Sequence, residues 1–154
     1  MRREKGGLMA VTIGDILNDK GVEVVTLGST AVVGEVAALL RSKGIGAVVV
    51  VDDADDVVGL VSERDVVHAL ADLGAEVLLT PVFEVMSRDT PSCTRAARVD
   101  DVAALMTQGR HRHVPVVEDE RLVGIVSVGD VVRFRMDALT DTADQLRAYV
   151  SRGY

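Results

Sequence analysis

Residues 59–67 read GLVSERDVV and residues 124–132 read GIVSVGDVV, so the chain writes one unit twice, sixty-five positions apart. In each copy an apolar run passes through glycine into a Ser-x-x-Asp step and then into helical spacing. One such unit cannot bury its apolar face alone, so the two copies are expected to pack against each other and to form two related clefts.

The duplication reaches further upstream. Val33, Val36, Ala37 and Leu40 lie at helical spacing and are matched sixty-six positions later by Val99, Val102, Ala103 and Met106, each set forming one apolar stripe. Gly44 and Gly109 follow these stripes, where a helix commonly ends in a left-handed residue. Strand-like runs come next, Ala47 to Val51 and His113 to Val117, then acidic turns at 52–56 and 118–121, then second strands at 57–62 and 122–127. The turns differ by one residue, which changes the offset from sixty-six to sixty-five. The unit is strand, helix, strand, strand, helix, and the fold class is α+β.

The expected organisation is an N-terminal tail over 1–10, a first unit over 11–73, a link over 74–82, a second unit over 83–136 and a helical extension over 137–154. Gly74, Thr80 and Pro81 interrupt helical periodicity in the link. In the extension, Val132, Met136, Leu139, Ala143, Leu146 and Val150 continue one stripe at steps of three or four. That stripe needs a partner, and a twofold homodimer is expected because closed dimers are the commonest assemblies.

Composition narrows the function. With 154 residues and 48% hydrophobic content, the chain matches one ordinary compact domain. A net charge of -7 disfavours nucleic acid, which demands a basic face. No apolar run approaches the roughly 18 residues of a membrane span, and the opening MRREKGGLMAV lacks the core and cleavage site of a leader, so a cytoplasmic location is expected. Only Phe83, Phe134, Tyr149 and Tyr154 are aromatic, so a ring ligand would lie between aliphatic side chains. Cys93 is single and reads as a small partly buried residue. No nucleophile elbow, P-loop or Cys with a defined His partner is present, which argues against an enzyme.

GLVSERDVV followed by RHVPVVEDERLVGIVSVGDVV resembles a tandem pair of cystathionine beta-synthase (CBS) domains over about residues 11–136. The resemblance implies two β-α-β-β-α repeats packed as a pseudo-twofold CBS pair, with two clefts able to hold adenosine-containing ligands. It also implies that two such modules join into a disc-shaped dimer.

The Ser-x-x-Asp steps carry two readings. Ser62 with Asp65, and Ser127 with Asp130, match a helix capping box. A helix start is also a place where phosphate docks while a nearby carboxylate accepts ribose hydroxyls. The resemblance assigns Asp65 and Asp130 to ribose and places Ser62 and Ser127 beside the ribose and phosphate. The second copy adds a basic run, Arg110, His111, Arg112 and His113, where the first has Gly46 and Ala47 at the positions matching Arg112 and His113. Guanidinium forks suit phosphate oxygens, and similar positions in nucleotide-binding CBS pairs take that role. Arg64 in the first helical turn has equal claims as a phosphate contact and as an exposed partner of Glu63. Pro115, following Val114, interrupts its strand and would leave a backbone group free to read an adenine edge, whereas the first copy has Val49. His111 and His113 alternate along a strand, but no third ligand is placed, so no metal is expected.

The implied nucleotide-binding set is therefore Ser62, Arg64, Asp65, Arg112, His113, Val114, Pro115, Ser127 and Asp130. The expected ligand is AMP first, then ATP, ADP or NAD(H), with S-adenosylmethionine after them. The expected role is a regulatory, energy-sensing protein that signals to a partner through module or dimer geometry. The alternative is a ligand-free dimerisation or scaffold protein in which both Ser-x-x-Asp steps only cap helices.

Overall fold

The computed structural model describes residues 11–151. The tail expected at 1–10 and the last positions of the expected extension, 152–154, lie outside the described residues. Helix α1 (Ile13–Lys20) begins at Thr12, whose amide donates to the Asp15 carboxylate at 2.9 Å, and ends at Gly21 with φ 98°. The first repeat then runs β1 (Thr26–Gly28), α2 (Val33–Lys43), β2 (Ala47–Val51), β3 (Val57–Ser62) and α3 (Glu63–Leu73). Strand β1 pairs parallel with β2, and β2 antiparallel with β3. This is the expected order.

The second repeat has α4 (Val99–Gly109), β4 (His113–Glu118), β5 (Arg121–Ser127) and α5 (Val128–Ser151), with β4 antiparallel to β5. Its leading strand shrinks to a single parallel bridge between Cys93 and Val116. Proline accounts for the loss. In the first repeat the Val49 amide donates to the Val25 carbonyl at 3.2 Å, but the equivalent of Val49 is Pro115, which has no N–H to offer. The helix ends differ too. Gly44 takes the left-handed position after α2, whereas Gly109 stays within α4 and Arg110 is the left-handed residue, with φ 55°.

All five residues of β2 are buried, because both of its faces are covered. Val48 and Val50 pack with Val33, Val36 and Leu40 of α2. Ala47, Val49 and Val51 point the other way and meet Leu60, Leu122 and Ile125, forming an apolar seam where β2 and β3 face β5.

Each repeat is completed by a segment that precedes the other. Ile13, Ile16 and Leu17 of α1 sit in the second core with Val99, Val102, Met106, Val114, Val116 and Val126. Val77 and Val82, from two short 3-10 turns between the repeats, sit in the first core. The backbone repeats the exchange: the Ile13 amide donates to the Ala97 carbonyl at 2.9 Å, and the Val82 amide to the Ala31 carbonyl at 2.7 Å. Residues 11–20, expected with the first unit, therefore dock on the second, and the expected link 74–82 fills the first core. Burying these five aliphatic side chains is worth about 1.5–3 kcal/mol each, enough to bind the repeats into one body.

Candidate functional site

Helices α3 and α5 start side by side. The Glu63 amide donates to the Gly46 carbonyl at 3.0 Å, and the Val128 amide to the Arg112 carbonyl at 2.9 Å, so each helix start is tied to the loop that precedes the neighbouring strand. Both Ser-x-x-Asp steps form capping boxes. The Asp65 amide donates to Ser62 Oγ at 3.3 Å while Asp65 Oδ2 accepts from the Ser62 amide at 2.7 Å. The Asp130 amide donates to Ser127 Oγ at 3.1 Å while Asp130 Oδ2 accepts from the Ser127 amide at 2.8 Å. Capping uses one oxygen of each carboxylate. At Asp65 the other, Oδ1, has only the Ser87 hydroxyl at 3.5 Å, the outer limit of a hydrogen bond.

A cleft of about 460 Å³ opens between the two helix starts. Ser62, Arg64 and Asp65 line it from the first repeat, and Arg112, His113 and Ser127 from the second. The three other expected residues are placed elsewhere. Val114 is fully buried in the second core. Pro115 is buried in β4, and its carbonyl accepts from the Cys93 amide at 3.0 Å. Asp130 is not on the cleft wall; Lys20 Nζ lies 2.7 Å from Asp130 Oδ2 and 2.8 Å from the Ile125 carbonyl.

The arginines explain why one cleft is so basic. At matching positions the first repeat has Gly46 and the second Arg112, while the first has Arg64 and the second Gly129. One arginine thus comes from each repeat, at non-equivalent places, and both reach the same cleft together with Arg110. The bareness of Gly46 matters as well, since a Cβ there would stand 3.0 Å from His113 Nε2. Arg110 holds a left-handed backbone that costs a non-glycine residue about 1 kcal/mol or more, a strain found where a side chain must be aimed. Burial, reinforced by the Arg112 charge, pushes the His113 imidazole below its ordinary pKa. The cleft is therefore a recess in which three arginines stand with two carboxylates, Glu63 and Asp65, so that it can offer both cationic donors and acidic acceptors.

Two other features are excluded as the seat of such a molecule. A larger hollow at the far end of the strands is lined by Asp55, Asp56, Asp119 and Glu120 beside Arg121, and its charge repels phosphate. Burial raises the Cys93 thiol to about 11, leaving it protonated and unreactive. Among the described residues no group of three His, Cys, Asp or Glu side chains is placed to hold a metal ion, and no helix is long and apolar enough to cross a membrane.

Sequence reasoning missed Lys20, Ser87 and Thr90, the last two on the cleft wall. The start of α1 was detectable, since Thr12 and Asp15 repeat the spacing of Ser62 and Asp65. That α1 would aim Lys20 at Asp130 was not, because the two are 110 positions apart.

The family model for the CBS domain matches the chain twice, over residues 11–72 and 82–137. Solved structures of CBS proteins superpose on it. A CBS-domain-containing protein of Agrobacterium tumefaciens is 43% identical, with a TM-score of 0.79 over 81% of this chain and 99% of that one. The CBS domain pair of protein MJ0100, solved with 5'-methylthioadenosine and S-adenosyl-L-methionine, is 28% identical, with a TM-score of 0.76 over 84% and 99%. CBSX2, solved in complex with AMP, is 27% identical, with a TM-score of 0.66 over 82% and 97%.

Proposed function

The chain belongs to the CBS-domain family as a tandem pair of repeats, and from that premise we propose that it is a non-catalytic regulatory protein that binds an adenine nucleotide in the Asp65 cleft. The observation that carries this reading is the convergence of Arg64, Arg110, Arg112 and His113 in one cleft with the carboxylates of Glu63 and Asp65. A ribose diol donates to Asp65 Oδ1, as an acidic residue serves ribose in other nucleotide folds. The phosphate lies against the guanidinium groups and the start of α5, where Gly129 leaves the backbone amide bare.

Among adenosine ligands AMP ranks first, then ATP, ADP and NAD(H). S-adenosylmethionine ranks after them because it brings no phosphate to three arginines. The relatives solved with AMP, and with 5'-methylthioadenosine and S-adenosyl-L-methionine, support an adenosine ligand as the class. The ligand signals by binding one arrangement of the two repeats more tightly than another, since equal affinity shifts nothing. The signal passes in the cytoplasm to a partner protein through a homodimer.

One observation favours a second reading. Both Ser-x-x-Asp steps are complete capping boxes, so each has a purely structural use and the protein would be a ligand-free scaffold. Isothermal titration with AMP, ATP, ADP, NADH and S-adenosylmethionine separates the two. Micromolar binding of a phosphate-bearing ligand that is lost in Asp65→Ala establishes the nucleotide reading, and silence from all five establishes the scaffold.

A further inference from the structure

The two Ser-x-x-Asp steps are alike in sequence and unlike in the folded protein. Asp65 faces an open cleft, and the backbone of neighbouring Leu60 is paired with Ser87, the amides donating at 3.0 and 2.9 Å. Asp130 and the matching residue Ile125 instead share a single ammonium, that of Lys20, at 2.7 and 2.8 Å. We propose that Lys20 is a built-in occupant of the second step, closing it to ribose, so that the protein takes one nucleotide per chain.

Three features support this. Lys20 is delivered by a rigid element, because Ile13, Ile16 and Leu17 anchor α1 in the second core. Its ammonium satisfies a carboxylate and a backbone carbonyl at once, and the Lys20 and Asp130 side chains are only 26% and 13% exposed, so water competes little for the pair. A ribose entering here would meet the ammonium seated between Asp130 Oδ2 and the Ile125 carbonyl, a position it cannot share. Burial works to raise the Asp130 pKa, yet the bonds from Lys20 and Ser127 outweigh it and hold the carboxyl below its ordinary value, as expected of an occupied anion. Sequence reasoning placed a second ribose at Asp130; the geometry assigns that place to lysine.

The inference rests on the proposed nucleotide reading for its ligand, and stoichiometry tests the two separately. AMP is titrated into the full chain, Lys20→Met, Lys20→Met with Asp130→Ala, and Asp65→Ala, with Lys20→Gln as a second variant should the methionine fold poorly. Expected are one AMP per chain in the wild type, two in Lys20→Met or Lys20→Gln, one again in the double variant, and none in Asp65→Ala. Two AMP in the wild type, or one still in both Lys20 variants, overturns the proposal while the Asp65 reading stands. No AMP in the wild type but one in Lys20→Met upholds the lysine and sinks the Asp65 reading. None in any variant overturns both.

Discussion

Leu17 of α1 packs so closely on Gly124 of β5 that a methyl group on the glycine would lie 2.8 Å from Leu17 Cδ1. This contact joins residue 17, at the start of the chain, to the second repeat, and it tests the exchange of leading segments. Gly124→Ala should destabilise by about 1–3 kcal/mol through overpacking. Leu17→Ala should cost about 2–5 kcal/mol through the cavity it leaves. Combined, the two should cost less than their sum, because the smaller residue 17 makes room for the methyl. Urea denaturation measures all three, and strict additivity would show that α1 docks elsewhere.

If Arg112 and Arg64 meet a phosphate as proposed, their loss should depend on whether the ligand has one. Arg112→Ala should weaken AMP by about 1.5–3 kcal/mol, roughly 10- to 100-fold, and leave adenosine nearly unaffected. Competition binding with the two ligands checks this. Equal losses for both would remove the arginine from the phosphate and place it against the nucleoside.

His113 should make both stability and binding depend on pH. Its pKa is lowered in the folded protein by burial and then by Arg112, so the folded state keeps a neutral imidazole where the unfolded chain, near 6.5, takes up a proton. Its contribution is therefore complete above pH 6.5 and is lost as pH falls from 6.5 through the lower folded value. Denaturation at about pH 7.5 and about pH 5.5 should show a smaller pH difference in His113→Gln. A bound phosphate reverses the local field and favours the imidazolium, so AMP should bind more tightly at the lower pH in the wild type and lose that trend in His113→Gln.

Helix α5 runs to Ser151, yet every residue from Met136 to Ser151 is exposed. Met136, Leu139, Leu146 and Val150 are between 61% and 70% exposed and repeat at the alternating steps of a coiled-coil seam. A lone helical arm of this kind is marginal in water, so a second copy should cover it. Light scattering should give twice the 16.4 kDa chain mass, and Leu139→Glu should shift the population towards monomer. A monomer at micromolar concentration with the whole chain intact would sink the dimer.

Most secondary structure was readable because its causes are local. The stripes of α2 and α4, the all-valine face of β2 and the caps at Ser62 and Ser127 depend on neighbours three or four positions away. Two departures had local causes. Pro115 removed an amide from the leading strand of the second repeat, and Arg110 rather than Gly109 took the left-handed turn. Of the nine residues expected at the site, the six in the cleft lie in the loops and helix starts that the duplication marked, whereas Val114 and Pro115 follow the strand into the interior.

The sequence by itself determined that one unit is used twice, that the last helix of each unit opens on a Ser-x-x-Asp cap, and that the copies differ by an exchange of glycine and arginine. Those are properties of spacing and residue type. Only the tertiary structure decided that α1 belongs to the second core, that Arg64 and Arg112 meet in one cleft, and that Lys20 claims Asp130. These outcomes depend on which apolar faces find each other across the whole chain, and the local pattern of residues does not record those long-range contacts.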